Sequence, residues 1–263
     1  MKTRSIFWPL ALLPACAFAQ QDNTDELAKK LSNPVAALIS VPLQYNYDRG
    51  YGPQNGHKSQ LNVQPVIPIS LNDDWNVISR TIVPIVSQTS VQPGSSQSGL
   101  GDITQSLFFS PKAPTSNGII WGVGPVLLLP TGSEPQLSAR KWGGGPTFVV
   151  LKQSQGWTYG LLANHIWGVG GTSYRSNVSA SFVQPFLSFT TPDAWTYGLN
   201  AESSYNWKTS QWTVPVNVTV AKLVRFGTQP VSLGAGVRYW AKSPEGGPQN
   251  FALRLSMTFL FPK

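Results

Sequence analysis

The chain ends in a stretch of strict alternation. Residues 251–261 read FALRLSMTFLF, with a large apolar side chain at every odd position and mostly small or polar side chains between them. A period of two over a stretch this long predicts a β-strand with one apolar and one polar face. In a water-soluble sandwich the apolar face would point into the core, whereas in an outer-membrane barrel it would point outward to lipid. This stretch therefore leaves two all-β folds to choose between.

Composition favours the barrel. Charged residues make up 11% of the sequence, against about 25% in soluble domains. The mean hydropathy is −0.09, and no apolar run beyond the N-terminus reaches the ~18 residues that a membrane helix needs. Aromatic residues make up 11% and there are 24 glycines. This composition is typical of strands that alternate between lipid and water.

Strand-like runs separated by Gly, Pro, Asn and Ser fill the chain after residue 35. The predicted strands are 36–48, 59–71, 75–88, 99–110, 119–131, 145–153, 157–168, 178–190, 195–207, 212–225, 231–242 and 251–261. Short breaks alternate with mostly longer ones, which is the pattern of a membrane-spanning barrel with short periplasmic turns. The sequence therefore predicts an all-β, transmembrane antiparallel up-and-down barrel of about 12 strands over residues 35–263.

Prolines lie inside many of these predicted strands. Proline removes a hydrogen bond from the strand ladder, so it is normally confined to edges and bulges, and a closed barrel has no edges. We therefore expect bulges or bends at these positions, which are Pro42, Pro65, Pro68, Pro84, Pro125, Pro185 and Pro215.

Aromatic residues recur at a spacing that matches the apolar height of a barrel. The stretch WTYGLLA at 157–163 recurs as WTYGLNA at 195–201. Trp157 and Trp167 are about ten residues apart, a rise of roughly 25 Å along a tilted strand. We assign two aromatic girdles, with Trp75, Trp121 and Trp212 repeating the one on the short-turn side. The predicted girdle residues are Trp75, Trp121, Trp157, Tyr159, Trp167, Trp195, Tyr197, Tyr205, Trp207 and Trp212.

The N-terminus reads as a secretory signal peptide over residues 1–19, with a basic start, an apolar core and an Ala-Phe-Ala cleavage site. Cys16, the only cysteine, is either removed with it or lipidated. The polar segment 20–34 contains a short helix from Asp22 to Leu31 with acidic residues early and lysines late. This segment is either a small periplasmic plug or a loose leader.

Charged residues on the predicted polar faces are candidates for the barrel interior. They are Asp48, Arg80, Asp102, Glu202, Arg238 and Arg254. Such residues either line a lumen and select solutes or pair across a filled interior. Twelve strands lie between the eight that side chains just fill and the sixteen that leave a channel. The inward glycines favour a narrow pore.

Signals for catalysis, metals, cofactors and nucleic acid are weak. Of the two histidines, His57 falls in a predicted outer loop beside Ser59, and His165 falls on the lipid side. The sequence predicts no metal site and no cofactor, and its scattered basic residues do not suit nucleic acid. The glycine-rich stretch 142–145 is predicted to be a flexible loop. Its neighbours Arg140 and Lys141 either contact lipopolysaccharide phosphates or are solvated.

Three stretches, residues 25–44, 61–68 and 75–81, resemble a bacterial family described as putative transporters of the MetA pathway of phenol degradation, sometimes misnamed neuromedin U. The resemblance implies an outer-membrane β-barrel carrying aromatic or other hydrophobic compounds. The final strand, with Phe259 and Phe261, resembles the C-terminal signal that the barrel-assembly machinery reads, although Pro262 and Lys263 follow it.

The sequence thus predicts a non-enzymatic channel in the outer membrane of a Gram-negative bacterium that passes small solutes passively, with hydrophobic or aromatic compounds as the cargo that the resemblance implies. Its expected partners are outer-membrane lipid, lipopolysaccharide, the assembly machinery and an unidentified solute. The alternatives are a non-conducting structural or adhesive barrel that acts through its outer loops, and, less favoured, an outer-membrane lipid hydrolase that uses His57.

Overall fold

The structure, a computed structural model, describes residues 16–92 and 94–262. One helix, α1 (Cys16–Leu31), precedes the strands. The strands are β1 (Ile39–Tyr51), β2 (Gly56–Val63), β3 (Val66–Ser70), β4 (Trp75–Thr89), β5 (Ser96–Leu100), β6 (Ile103–Pro111), β7 (Ile119–Leu129), β8 (Lys141–Ser154), β9 (Trp157–Gly171), β10 (Ser179–Thr190), β11 (Trp195–Ala201), β12 (Ser203–Asn206), β13 (Gln211–Phe226), β14 (Gln229–Lys242) and β15 (Phe251–Phe261). The predicted signal peptide lies for the most part outside the described residues.

These strands form one closed antiparallel barrel. Three spanning strands are each interrupted once, so that β2 with β3, β5 with β6, and β11 with β12 act as single staves. The first and last strands pair from Ile39 with Phe261 to Tyr47 with Leu253, which closes the ring and leaves no free edge. The prediction of an all-β, twelve-stranded antiparallel barrel with a short N-terminal helix is confirmed.

The apolar rows lie on the outside of the barrel. In β15, Leu255 is 42% exposed whereas the next inward side chain, Arg254, is 4% exposed. The same alternation of outward apolar and inward polar or small residues runs through β13 and β14, where Val218 and Val237 point out and Asn217 and Arg238 are buried. A sandwich core would bury the apolar rows, so the alternation seen in the sequence belongs to a barrel with an apolar outer surface.

The two ends of the barrel differ. Segments 71–74, 112–118, 155–156, 191–194 and 227–228 connect strands at the end where β1 begins and β15 ends, here called the turn end. Segments 52–55, 90–95, 130–140, 172–178, 207–210 and 243–250 connect strands at the opposite end, the loop end. Among the connections at the loop end, segments 207–210 and 52–55 are the shortest.

Strand irregularities accompany some of the prolines. Pro65 lies in the break between β2 and β3, and the amide of Gly101, in the break between β5 and β6, donates to the carbonyl of Pro84 at 2.8 Å. At Pro215 the register of β13 on β14 shifts, and the amide of Glu202 donates to the Pro215 carbonyl at 3.1 Å.

Other prolines shift no register. Pro125 pairs with Pro146, and Pro185 pairs with Leu161, in unbroken registers. The ladder on the other side of each proline is interrupted, because β6–β7 pairing skips Pro125 and the break between β11 and β12 faces β10 beside Pro185. These two positions therefore show a ladder break without a bulge.

The glycine-rich stretch 142–145 is part of a strand rather than a flexible loop, which corrects the sequence prediction. Strand β8 begins at Lys141 and pairs with β7 and β9 on both sides. A Cβ atom on Gly145 would lie 1.8 Å from the carbonyl oxygen of His165. The glycines here are required by close backbone approach, a role that looks like loop composition in sequence.

The N-terminal segment enters the turn end of the barrel. Leu27, Ala28 and Leu38 pack with Leu223 and Leu260 in one buried cluster. The helix starts earlier than predicted, at Cys16, and Lys29 and Asp25 form an ion pair at 2.5 Å on its surface. No helix in the described part of the chain is long and apolar enough to cross a membrane.

The segment that follows the helix reaches deeper into the barrel. Val35, which is 5% exposed, packs against Ile78, Phe108, Val149 and Leu162 from the inner wall. The side-chain amide of Gln153 donates to the Lys29 carbonyl at 2.8 Å and ties the helix end to the barrel rim. Residues 24–38 therefore form a plug at the turn end, and this name is used for them below.

Candidate solute lumen

A charged network occupies the inner wall of β1 and β11 to β15. Glu202, in the break between β11 and β12, accepts two hydrogen bonds from Arg254, at 2.8 and 2.7 Å. The same carboxylate accepts one from Arg238 at 2.9 Å. One carboxylate thus binds two arginines from neighbouring strands, and the strand break carries it to a position within reach of both.

Asp48 completes the network towards the loop end. Its carboxylate lies 3.3 Å from a terminal nitrogen of Arg238 and accepts a hydrogen bond from the Trp240 indole at 3.0 Å. The remaining nitrogen of Arg238, Nε, donates to Asn217 at 3.0 Å. Arg254 makes the equivalent bond to Asn46 at 2.8 Å.

Every charge in this network therefore has polar partners, as buried charges require. Asp48, Arg238 and Arg254 are each less than a tenth exposed. Bidentate pairing of arginine with carboxylate holds both groups in one geometry. The network is a rigid polar wall that joins the first and last strands of the barrel to the strands between β11 and β14.

Arg80 belongs to the same interior and is paired differently. Its guanidinium donates to the side-chain oxygen of Gln64 at 3.0 Å. Among the ion pairs of the described residues, Arg238 and Arg254 have carboxylate partners and Arg80 does not. Arg80 therefore presents a positive charge to the lumen that a carboxylate has not neutralised by direct contact.

The facing wall carries the apolar residues of the interior. Phe108 and Leu162 are buried in the cluster that also holds Val35, and Phe182 and Phe186 pack against that cluster. Ile82 and Ile166 extend the same surface along the lumen, interleaved with the uncharged polar side chains Ser106, Asn164 and Gln184. One wall thus carries the charged network, and the other combines aliphatic and aromatic groups with uncharged polar ones.

Two cavities follow one another inside the barrel. The one towards the loop end has a volume of about 420 Å³ and is lined by both the charged network and the apolar wall. The one towards the turn end has a volume of about 290 Å³ and is floored by plug residues 30–34. Five residues line both: Gln64, Arg80, Leu162, Gln184 and Asn200. These five form the junction between the cavities and are called the junction below.

The structure sorts the six interior candidates into three groups. Asp48, Glu202, Arg238 and Arg254 form the network, and Arg80 stands at the junction. Asp102 lines neither cavity. Its carboxylate accepts backbone amides of Gly132 at 3.0 Å and Ala139 at 2.6 Å, so it holds the loop 130–140 in place.

Sequence reasoning missed several lumen residues. Lys58 lies directly opposite Asp48 in the β1–β2 register and so shares its inward face. The neutral amides Gln60, Asn62 and Gln64 continue that row on the same strand. The three amides occupy every second position, so their inward face could be read from the sequence, but only charged residues were predicted to line the interior. Lys58 precedes the predicted strand 59–71.

The girdle candidates lie at the two rims of the outer surface. At the turn end, Trp75 packs edge-on against Trp121 at 5.7 Å between ring centroids, and Trp157 packs on Phe189 at 4.9 Å. Exposed residues of this group are Trp157, Tyr159, Trp195 and Tyr197.

At the loop end, Tyr205 contacts both Trp207, at 4.8 Å, and Trp212, at 5.0 Å. Trp167 lies at the same end, against His165 at 4.2 Å. The assignment of Trp212 to the short-turn side was wrong, because β13 begins at the loop end and carries Trp212 with it. The C-terminal Phe261 is exposed and Phe259 is partly exposed on the outer face.

Neither histidine forms a triad with Ser and a carboxylate in the described residues. His57 lies in β2, not in a loop, and its ring is 5.9 Å from Tyr47, while the Ser59 hydroxyl pairs with the Tyr45 hydroxyl at 3.0 Å. His165 Nδ1 lies 2.8 Å from the Ser181 hydroxyl on the outer face, and its buried Nε2 has no hydrogen-bond partner there.

Other predicted contacts also change. Lys141 is buried at the start of β8, so it is not the solvated loop residue that was one of its two predicted alternatives. Within residues 16–92 and 94–262, no group of three or more His, Cys, Asp or Glu side chains is placed to hold a metal ion.

No family model and no curated protein matches this chain. Solved structures do. The chain is similar to the COG4313 outer membrane channel from Pseudomonas putida F1, with a TM-score of 0.67 and 15% identity, over 86% of this chain and 96% of that one. It is also similar to the NanC porin, with a TM-score of 0.51 and 10% identity over 85% and 100%. Outer membrane phospholipase A from Escherichia coli matches with a TM-score of 0.50 and 10% identity over 90% and 98%. At these identities the likeness shows the fold.

Proposed function

We propose that this chain is an outer-membrane channel of a Gram-negative bacterium that passes small solutes passively through the barrel. One observation carries the proposal: two cavities lie in series inside the closed barrel and share the junction residues. The apolar outer surface between two aromatic rims suits a bilayer. In this orientation the turn end and the plug face the periplasm, and the loop end faces the outside.

The plug sets where passage is controlled. Lys30, Leu31 and Asn33 floor the inner cavity, so a solute that has crossed the junction meets the plug before it reaches the periplasm. Helix α1 contributes Leu27 and Ala28 to the buried cluster at the turn end. We infer that partial displacement of the plug opens the path, and that the charged network and the junction filter solutes above it.

Liposome swelling tests the proposal. Purified protein in liposomes should admit small uncharged solutes and exclude larger ones, giving swelling rates that fall with solute size. A chain that lacks residues 24–34 should swell liposomes faster, with the barrel still folded. If neither protein admits any solute, although both are inserted and folded, the transport proposal is wrong.

A non-conducting barrel that acts through its loops is the second candidate. The burial of Val35 among inner-wall residues favours it, because a plug packed this well could seal the turn end permanently. This candidate predicts no swelling by the intact chain and full accessibility of the loops. Swelling by the intact chain decides against it.

We infer no enzymatic role. A lipid hydrolase needs a base held by a third group and donors for the oxyanion. Neither His57 nor His165 has a carboxylate among its described contacts. Phospholipid hydrolysis that is lost in both H165A and S181A would reverse this inference. From the resemblance to the MetA-pathway family we also propose an aromatic or hydrophobic cargo, and we propose a contact with lipopolysaccharide.

A further inference from the structure

The lumen carries an excess of positive charge. On the inner wall, the described residues include the cations Lys58, Arg80, Arg238 and Arg254 and the carboxylates Asp48 and Glu202. Lys30 of the plug adds a further cation to the inner cavity. Asp48 and Glu202 form ion pairs with Arg238 and Arg254, and the Glu202 charge also acts on Arg80 without direct contact. Among the described residues, Arg80 therefore has no carboxylate in ion-pair contact.

Arg80 lies at the junction, because it is one of the five residues that line both cavities. One nitrogen of its guanidinium donates a side-chain hydrogen bond to the neutral Gln64. A guanidinium has five N–H donors in a planar fork that matches a carboxylate. The remaining donors suit an anion in the cavities.

The surroundings of Arg80 complete a site of mixed character. Gln64, Gln184 and Asn200 add amide groups around the guanidinium at the junction. Leu162, which pairs with Gln184 in the β9–β10 register, lines the junction beside these amides, and Phe182, on the same strand as Gln184, lines the larger cavity. A ligand pocket of this kind combines an apolar lining with a few convergent polar groups, and the 420 Å³ volume of the larger cavity falls in the range of about 300–1,000 Å³ typical of such pockets.

We propose that the junction is a binding site for small amphipathic organic anions. The carboxylate of the solute binds Arg80, and its aliphatic or aromatic body lies against Leu162 and Phe182. The inference rests on the proposed channel function and names the solute class of that channel. A neutral apolar solute would leave Arg80 without a partner, and a small hydrophilic anion would leave the apolar wall in contact with water.

Fluorine NMR titration tests the site at equilibrium, without requiring an open pore. The probes are 4-fluorobenzoate and its neutral analogue 4-fluorobenzyl alcohol, added to the folded barrel in detergent. We expect 4-fluorobenzoate to bind the wild type at least about tenfold more tightly than the alcohol, because a hydrogen bond to a charged group is worth that much or more.

Three variants locate the site. Arg80→Gln should weaken 4-fluorobenzoate binding at least about tenfold, and Arg80→Lys should weaken it less. Lys208→Gln removes one positive charge from the exposed loop 207–210 and should leave binding unchanged. Phe182→Ala should weaken binding of 4-fluorobenzoate and leave binding of trifluoroacetate, a small fluorinated carboxylate, unaffected. Because Arg80 pairs with an amide, its replacement strands no buried carboxylate and the barrel should fold.

The outcomes separate this inference from the channel proposal. Equal affinity for the acid and the alcohol in the wild type, or unchanged affinity for the acid in Arg80→Gln, overturns the binding site whatever the pore does. Should Arg80→Gln not fold, the acid-to-alcohol ratio in the wild type and the effect of Phe182→Ala decide alone. Liposomes that swell without acid-selective binding leave the channel and remove the site. Acid-selective binding with no swelling supports the binding site and contradicts the channel.

Discussion

At the scale of single residues, Glu202 has the largest structural role in the interior. It is the carboxylate that Arg238 and Arg254 share, and both arginines are buried. Removing one partner of a buried ion pair costs more than the pair contributes, because the remaining charge stays desolvated. The break in the strand at residue 202 thus places the carboxylate where it binds both arginines.

Glu202→Gln should therefore destabilise the barrel by about 3 kcal/mol, towards the lower end of the range for broken buried pairs because Glu202 keeps some exposure. Denaturant unfolding in lipid vesicles measures the change. Glu134→Gln, in the exposed loop 130–140, is the matched control and should leave the unfolding midpoint in place. Equal midpoints for the two variants would mean that the network contributes little to stability.

Backbone crowding makes a second prediction at this scale. A Cβ atom on Gly145 would lie 1.8 Å from the His165 carbonyl oxygen, whereas one on Gly170 would meet nothing within 4 Å. Gly145→Ala should lower the temperature at which the folded barrel loses its fast gel mobility, because β8 and β9 must move apart. Gly170→Ala should not lower it. A similar fall for both would indicate a general intolerance of side chains in these strands.

The sequence predicted which face of the strand most interior residues occupy, but it did not predict which side chains they contact. The period of two places Asp48, Arg238 and Arg254 on the inner face from sequence alone. It does not say that Arg238 reaches Asp48 across 190 positions of sequence, because that contact depends on how β1 and β14 both flank β15. Asp102 has the same sequence signal as the others and instead binds the amides of a loop.

At the scale of elements, the plug is where sequence reasoning left two answers open. A short polar helix carries no mark of what it packs against, and Leu27 and Leu38 are too few to distinguish a plug from a loose leader. The start of strand β8 was missed for a different reason, since its glycines have low strand preference and allow close backbone approach instead. Strands with ordinary alternation, such as β13 to β15, were predicted with small errors at their ends.

The plug gives the prediction that belongs to this scale. Val35→Asp places a charge among Ile78, Phe108 and Leu162, where it has no partner and is costly to bury. The plug should leave its site, and the mean current through reconstituted protein should rise several-fold while the barrel remains folded. Ser116→Asp adds the same charge to an exposed turn at the same end and should not change the current. Unchanged current in Val35→Asp would show that the plug does not limit passage.

At the scale of the whole molecule, the account depends on which face of the barrel meets lipid. Val218 is 60% exposed in the middle of β13, on the outer face. In a bilayer, Val218→Arg should destabilise the folded barrel by roughly 2–4 kcal/mol, because a charge there faces hydrocarbon. Thr209→Arg, in the loop 207–210, should cost much less. Denaturant unfolding from vesicles compares them, and equal small effects would place the outer face in water.

The proposed channel depends on the charge and on the continuity of the lumen. Both are properties of the whole closed barrel. The cations Lys58, Arg80, Arg238 and Arg254 come from β2, β4, β14 and β15, and the plug comes from outside the ring altogether. A solute in the lumen would therefore experience the combined field of these groups in addition to the contacts at the junction. Like rings of charge in other pores, the excess should favour anions over cations of similar size.

Single-channel current in planar bilayers under a salt gradient tests the whole account most directly. We predict small discrete steps whose reversal potential has the sign of anion preference, and a shift towards cation preference in Arg80→Glu. Bilayers that stay silent after insertion of folded protein, or steps with cation preference in the wild type, would contradict it.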